Sequence, residues 1–198
     1  EEKQGEIKSL YDSCRLENTL SFDIFLCAMA GMHQINKLPH RDKIAIIDYS
    51  QASTQKRFYL IDLKHKNLLY HYLVAHGKNT GGNHAKHFSN TPGSKKSSPG
   101  FYLTGKTYRG RNGYSLKLRG LEKGINDNAE KRAIVMHGAD YVSRDFIRKH
   151  ARIGRSWGCP ALPLPLTEDI IDHIKNGYCL FIYTDKASYP ETSVFLHN

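Results

Sequence analysis

Apolar residues recur at helical spacing over residues 5 to 15 and again over 21 to 36, where Leu10, Leu16, Phe22, Phe25, Leu26 and Met29 supply the buried positions of two packed helices. Ser21 or Asp23 can cap the second. From Lys43 the pattern changes to short β-rich runs: Ile44 to Asp48, Arg57 to Leu63, Leu68 to His76, Phe101 to Thr107, Tyr114 to Leu118, Ala133 to His137 and Tyr178 to Tyr183. Lys64-His65-Lys66-Asn67 reads as a hairpin turn between two of them. Gly77 to Ser98, rich in Gly, Asn, Ser and Lys, reads as a long surface loop of the kind that borders sites. Helical spacing returns at 143 to 150 and 167 to 175, where Thr167-Glu168-Asp169 suits the positive end of a helix. The pattern predicts a mainly β, α+β chain without internal repeats. Residues 1–40 form a helical extension packed on a core of residues 41–198, all one structural unit.

Length and composition narrow the class. A chain of 198 residues holds one well-buried core. Its 39% hydrophobic and 24% charged residues are those of a folded soluble protein. No apolar run approaches the roughly 18 residues of a membrane span, and the chain opens at Glu1 without an apolar leader, which leaves export open. The net charge of +10 favours a polyanionic partner or serves solubility alone. The basic residues are dispersed and no nucleic-acid motif interleaves them, so nucleic acid is not an expected partner. A monomer is expected.

Cysteines stand at 14, 27, 159 and 179 with no CxxC spacing, which argues against a zinc ribbon or a thioredoxin-type pair. Cys27 and Cys179 lie in apolar runs where a thiol is usually buried and inert, and a Cys14–Cys27 bridge is conceivable in an exported protein. Cys159 differs. It sits in Arg155-Ser156-Trp157-Gly158-Cys159-Pro160, where Gly158 allows close backbone approach and Pro160 stiffens the exit. The N–H groups of Trp157, Gly158 and Cys159 can converge on the oxygen of a tetrahedral intermediate. A thiol attacks carbonyls as thiolate and so needs a base or a cationic setting. His137 ends the run Ala133-Ile134-Val135-Met136, which sets it at a sheet's rim, and Gly138 after it permits a turn. Cys159 and His137 are therefore the candidate nucleophile and base. The rival chemistry is zinc held by His76, His84, His87 and His137 with Cys159, but the loop carrying His84 and His87 lacks the periodicity that would hold ligands rigid. No metal or other cofactor is expected.

These segments resemble the YkuD-type L,D-transpeptidases of bacterial cell walls. His-Gly after an apolar strand, then Ser-x-Gly-Cys, is similar to the family's site, and Cys-Pro-Ala-Leu-Pro to its murein L,D-transpeptidase branch. Val74-Ala75-His76-Gly77-Lys78, Ser97-Ser98-Pro99-Gly100-Phe101-Tyr102-Leu103 and Tyr114-Ser115-Leu116 extend the likeness, which runs from about residue 43 to 184. The resemblance implies a β-sandwich or barrel with short peripheral helices. It implies that Cys159 forms a thioester with a peptidoglycan tetrapeptide stem, releasing D-Ala, and that the acyl group passes to an amine, with His137 as base. Ser156 or Gly138 would orient the imidazole, and Ser156 is the favoured candidate. Trp157, Gly158 and Gly138 supply backbone to the site. Relatives carry an arginine two residues beyond the cysteine, where this chain has Ala161; Arg155, Arg152, Arg109 or Arg111 would then take the stem carboxylate, with Tyr108 and Tyr114 as further substrate contacts. Transfer to water instead would make a carboxypeptidase. A zinc-dependent wall-peptide hydrolase and a non-catalytic wall-binding module remain the alternatives. A peptidoglycan substrate implies an extracytoplasmic, periplasmic location.

Overall fold

A computed structural model describes residues 2–196. Eight strands form one mixed sheet: β1 (Lys43–Asp48), β2 (Phe58–Asp62), β3 (Asn67–Tyr72), β4 (Gly100–Gly110), β5 (Gly113–Gly120), β6 (Val135–Ala139), β7 (Ala161–Pro163) and β8 (Cys179–Tyr183), in the order β3-β2-β1-β8-β4-β5-β6-β7. Beyond β3 the chain returns to the far edge, where Ala75 N–H donates to Ala161 O at 2.8 Å, so the sheet is a nearly closed barrel. Helices α1 (Glu2–Ser13), α2 (Phe22–Gln34), α3 (Arg144–His150), α4 (Thr167–Ile174) and α5 (Ser188–Thr192) lie around it. The mainly β reading and the barrel architecture both hold.

Strand alternation divides the core into two. Ile44, Ile46, Tyr59, Ile61, Phe101 and Phe181 point to one face and meet Tyr11, Phe25, Met29 and Met32 of the helical pair. Ala45, Ile47, Phe58, Leu60, Tyr102 and Leu180 point to the other, which Ile170, Ile171 and Ile174 of α4 close. Burial on both faces is why β1, β2 and β8 read as unbroken apolar runs. Gly31 lets α2 lie flush on the sheet: a Cβ there would stand 2.0 Å from Phe101 Cζ. The buried carboxyl of Glu122 accepts Phe101 N–H at 2.7 Å, Tyr189 O–H at 3.0 Å and the Ser193 hydroxyl, tying the C-terminal segment to β4.

The structure alters some expectations. The run from Leu68 to His76 leaves the ladder after Tyr72, because residues 73–77 cross to β7 and to Ser156. β6 begins at Val135 rather than Ala133, since Ala133 adopts φ 53° to close the preceding turn. β7 and α5 carried too little periodicity to be predicted. All four cysteines are free thiols, so Cys14 and Cys27 do not pair. Among the described residues no helix is long and apolar enough to cross a membrane.

Candidate active site

The parallel pairing of β6 with β7 sets His137 opposite Ala161. Two residues back in the same register, Val135 lies alongside Cys159, and its N–H donates to Cys159 Sγ at 3.5 Å. The thiol in turn donates to Ala133 O at 3.8 Å. A left-handed conformation at a non-glycine residue is uncommon and is held only when its surroundings enforce it; Ala133 adopts it where its carbonyl meets the sulfur. One short stretch therefore contacts the thiol with a donor and an acceptor, suited to its anionic and neutral forms respectively. Cys159 lies in the bend just before β7 and His137 within β6, so the candidate nucleophile and base belong to neighbouring chain segments.

His137 is 6% exposed. Its Nδ1 lies 2.9 Å from Gly138 O. A carbonyl only accepts, so Nδ1 carries the hydrogen and Nε2 keeps its lone pair for a proton. Burial pushes the imidazole below its usual range, partly offset by the Gly138 carbonyl, which keeps it neutral near pH 7. Burial likewise pushes the Cys159 thiol up, opposed by Val135 N–H and the positive charge of Arg132. At rest both groups are thus biased to their neutral forms.

Ser156 does not orient the imidazole; Gly138 does. The Ser156 hydroxyl instead clasps the turn of Cys159, donating to Cys159 O at 2.6 Å and accepting Gly158 N–H at 3.1 Å. Its backbone is pinned on both sides, Ser156 N–H to His76 O at 3.0 Å and Lys78 N–H to Ser156 O at 2.7 Å. Because Gly158 N–H is engaged, it is not available to an oxyanion. Among the described residues the N–H groups of Trp157 and Cys159 have no acceptor. Gly158 itself holds φ 125°, and a Cβ there would stand 2.8 Å from Lys96 O, so this position requires glycine.

The family model of the L,D-transpeptidase catalytic domain matches residues 16–183. The chain belongs to that family. No curated protein matches it. Among solved structures, the helical cell shape determining protein Pgp2 from Campylobacter jejuni is 15% identical over 81% of this chain and 56% of its own, with a TM-score of 0.46. An L,D-transpeptidase from Mycobacterium smegmatis is 10% identical over 72% of this chain and 59% of its own, at 0.43. The chain thus spans less than two thirds of either relative.

Two grooves flank the thiol's neighbourhood in this L,D-transpeptidase domain. One, of about 200 Å³, is lined by Tyr108, Lys117, Leu118, Glu130 and Ile134 together with Ala133 and Val135, the residues that contact the sulfur. The other, of about 260 Å³, is lined by Lys78, Tyr141, Phe146, Arg152, Gly154 and Arg155. Arg155 Nη1 donates to Lys78 O at 3.2 Å and Gly81 O at 3.0 Å, which fixes the guanidinium at the rim. Trp157 is 71% exposed, with Lys95 Nζ 4.8 Å above its ring. Tyr114 falls outside both grooves: its hydroxyl donates to Asp172 Oδ1 at 2.6 Å on α4, because β5 packs against that helix. Arg109 pairs with Glu168 at 2.9 Å, and Arg111 is exposed at a hairpin tip. A third groove, of about 400 Å³, lies between α1, α2 and the C-terminal segment, and none of the three is lined by Cys159 or His137.

The residues proposed for zinc do not converge. His76 is buried with both nitrogens engaged, Nδ1 at 2.8 Å from Arg57 Nη2 and Nε2 at 3.3 Å from Gly81 O. Burial and that guanidinium push it down to about 3. His84 and His87 are exposed. Among the described residues no three His, Cys, Asp or Glu side chains group closely enough for a metal ion. Sequence reasoning passed over Arg57, the buried cation against His76, and Arg132, whose Nη2 reaches the neighbourhood of Gly158; nothing in a dispersed basic composition distinguishes either from a solvated charge.

Proposed function

We propose that this chain is a cysteine-dependent peptidoglycan L,D-transpeptidase. The observation that supports it most is the setting of Cys159 Sγ between Val135 N–H and Ala133 O, at the start of the segment that pairs with the strand carrying His137, whose Nδ1 is held by Gly138 O so that Nε2 keeps its lone pair. Cys159 attacks the carbonyl joining the L-centre of a stem diamino acid to the terminal D-Ala. The C–S bond forms, and the C–N bond to D-Ala breaks. His137 takes the thiol proton and delivers it to the departing amine. An amine of a second stem then attacks the thioester, its proton passing through His137 to the sulfur as the C–S bond breaks. The unengaged N–H groups of Cys159 and Trp157 are suited to the oxyanion.

Substrate recognition follows from the grooves. Lys78, Arg152 and Arg155 take a stem carboxylate, the work of the missing arginine at position 161, while Tyr108 walls the groove beside Ala133 and Val135 and the exposed Trp157 offers a ring at the turn of Cys159. The +10 charge draws the domain to an anionic wall outside the cytoplasm, over a range of about 8 Å at physiological ionic strength. Incubation of the protein with a disaccharide-tetrapeptide, read by mass, tests the assignment: a cross-linked dimer and loss of D-Ala are expected. Cys159→Ala abolishes both along with the acyl-enzyme mass, and a variant that still cross-links overturns the reading.

A further inference from the structure

Arg132 enters the turn that leads into β6, three residues before Val135. Its side chain crosses to the loop of residues 89–98. Nη1 donates to Ser89 O at 2.8 Å and Ser98 Oγ at 2.7 Å; Nη2 donates to Ser94 Oγ at 3.2 Å and to Lys96 O. The same Nη2 stands 3.3 Å from where a Gly158 Cβ would lie, with Lys96 O at 2.8 Å from that point. The guanidinium is thus wedged between the loop and the residue that precedes the nucleophile. Every one of its partners is a neutral oxygen, and among the described residues it makes no ion pair. A half-buried cation without a counter-charge keeps its field for an anion formed nearby.

We propose that Arg132 is a positioning residue that straps the 89–98 loop against Gly158 and holds an uncompensated positive charge where the Cys159 thiolate forms. The ionisable groups facing the sulfur fit this division. Tyr49 and Tyr141 are phenols that burial holds neutral, each pushed up to about 12. His137 is neutral at rest, and Glu130 and Lys117 lie in the adjoining groove with opposite charges. Lys95 meets that turn only at the exposed ring of Trp157, whereas Arg132 brings its permanent charge to Gly158, next to the nucleophile, and opposes the effect of burial on the thiol. The inference rests on Cys159 being the nucleophile, but alkylation reads the thiol whether or not any stem peptide is turned over.

The test is the pH dependence of iodoacetamide alkylation at Cys159, followed by peptide mass. Arg132→Gln moves the alkylation midpoint upward by about one pH unit and slows labelling near pH 7 about five- to tenfold. Arg132→Lys keeps the charge and stays near the parent midpoint even as the strap loosens. Ser94→Asp gives the guanidinium a counter-charge while keeping an acceptor for Nη2, and shifts the midpoint upward, whereas Ser94→Asn does not. Should Arg132→Gln not fold, the Ser94 pair carries the test. An unmoved midpoint in Arg132→Gln, equal shifts in the Lys and Gln variants, or no difference between Ser94→Asp and Ser94→Asn overturns the proposal.

Discussion

Replacing Ser156 by Ala removes one oxygen that serves two bonds, the 2.6 Å donation to Cys159 O and the 3.1 Å acceptance of Gly158 N–H. A neutral hydrogen bond contributes about 0.5–1.5 kcal/mol net, and an orphaned buried N–H costs about 1–3 kcal/mol. Some 2 kcal/mol is then lost from the geometry of the turn, and if it falls on the transition state the rate drops about thirtyfold. The location of the damage matters more than its size. His137 is held by Gly138 O, so the acid limb of the kcat/KM profile, which reports the free base, keeps its position below the ordinary histidine value of about 6.5. Were Ser156 the imidazole's partner, its loss would remove support for the imidazolium and move that limb to still lower pH. Initial rates of transfer between pH 5 and 8, parent against Ser156→Ala, decide it. A shifted limb refutes the assignment of Gly138 as orienter.

Arg155→Ala raises KM for the stem peptide about tenfold or more, as expected for loss of a charge-assisted bond worth about 1.5–3 kcal/mol, with a smaller change in kcat. A stem whose carboxylates are amidated should show no such difference, and an equal loss on both substrates would mean that Arg155 only braces the Lys78–Gly81 turn. Glu122 makes a prediction about stability. Burial raises its folded-state value above the unfolded one despite three hydrogen bonds that lower it. Its protonated form is therefore the one folding favours. That contribution is fully present below the unfolded value of about 4.3 and is lost as pH rises through the folded value. The Tm difference between Glu122→Gln and the parent should move in favour of the variant as pH rises from 4 to 7, and a constant difference would count against a raised folded value.

Much of the scaffold was legible because both faces of its central strands are buried: apolar runs such as Ile44–Ile47 and Leu180–Ile182 have no other use in a chain this size. The candidate nucleophile and base were picked out by a different signal, since Gly-Cys-Pro and His-Gly combine reactive side chains with backbone freedom or stiffness near a strand end. What escaped was whatever depends on pairing. β7 spans three residues, Ala161–Pro163, too few to show a period, yet its parallel register with β6 is what brings residue 159 beside Val135. The misreading of Ser156 has the same root. A serine three residues before a cysteine can face the base or fold back on its own turn, and only the anchoring of residues 76–78 on its backbone selects the second. Tyr114 looked like a site aromatic until β5 was seen to deliver its hydroxyl to Asp172.

The neutral resting state of the pair bears on how the proposed reaction is driven. Burial disfavours both the thiolate and the imidazolium, so proton transfer from Cys159 to His137 ahead of attack is uphill, about 1.4 kcal/mol for each unit of combined shift. The same exclusion of water strengthens each fixed dipole and charge that remains. Val135 N–H lies on the sulfur, Cys159 and Trp157 N–H groups are unspent, and Arg132 is uncompensated. None of these groups needs to reorganise when negative charge appears, first on sulfur and then on the carbonyl oxygen. The penalty on the ground-state ion pair and the gain in the transition state therefore have one cause, the burial around His137 and the partly buried thiol at the β6–β7 edge. A substitution that wets this region without touching Cys159 or His137 should make the thiol easier to ionise and the acyl transfer slower. Ile134→Ser is such a change, since Ile134 is buried and its Cδ1 stands 3.0 Å from where a Gly158 Cβ would lie. Faster alkylation with slower transfer is the expected signature, and a parallel rise in both rates would show that burial hinders the chemistry it is argued to support.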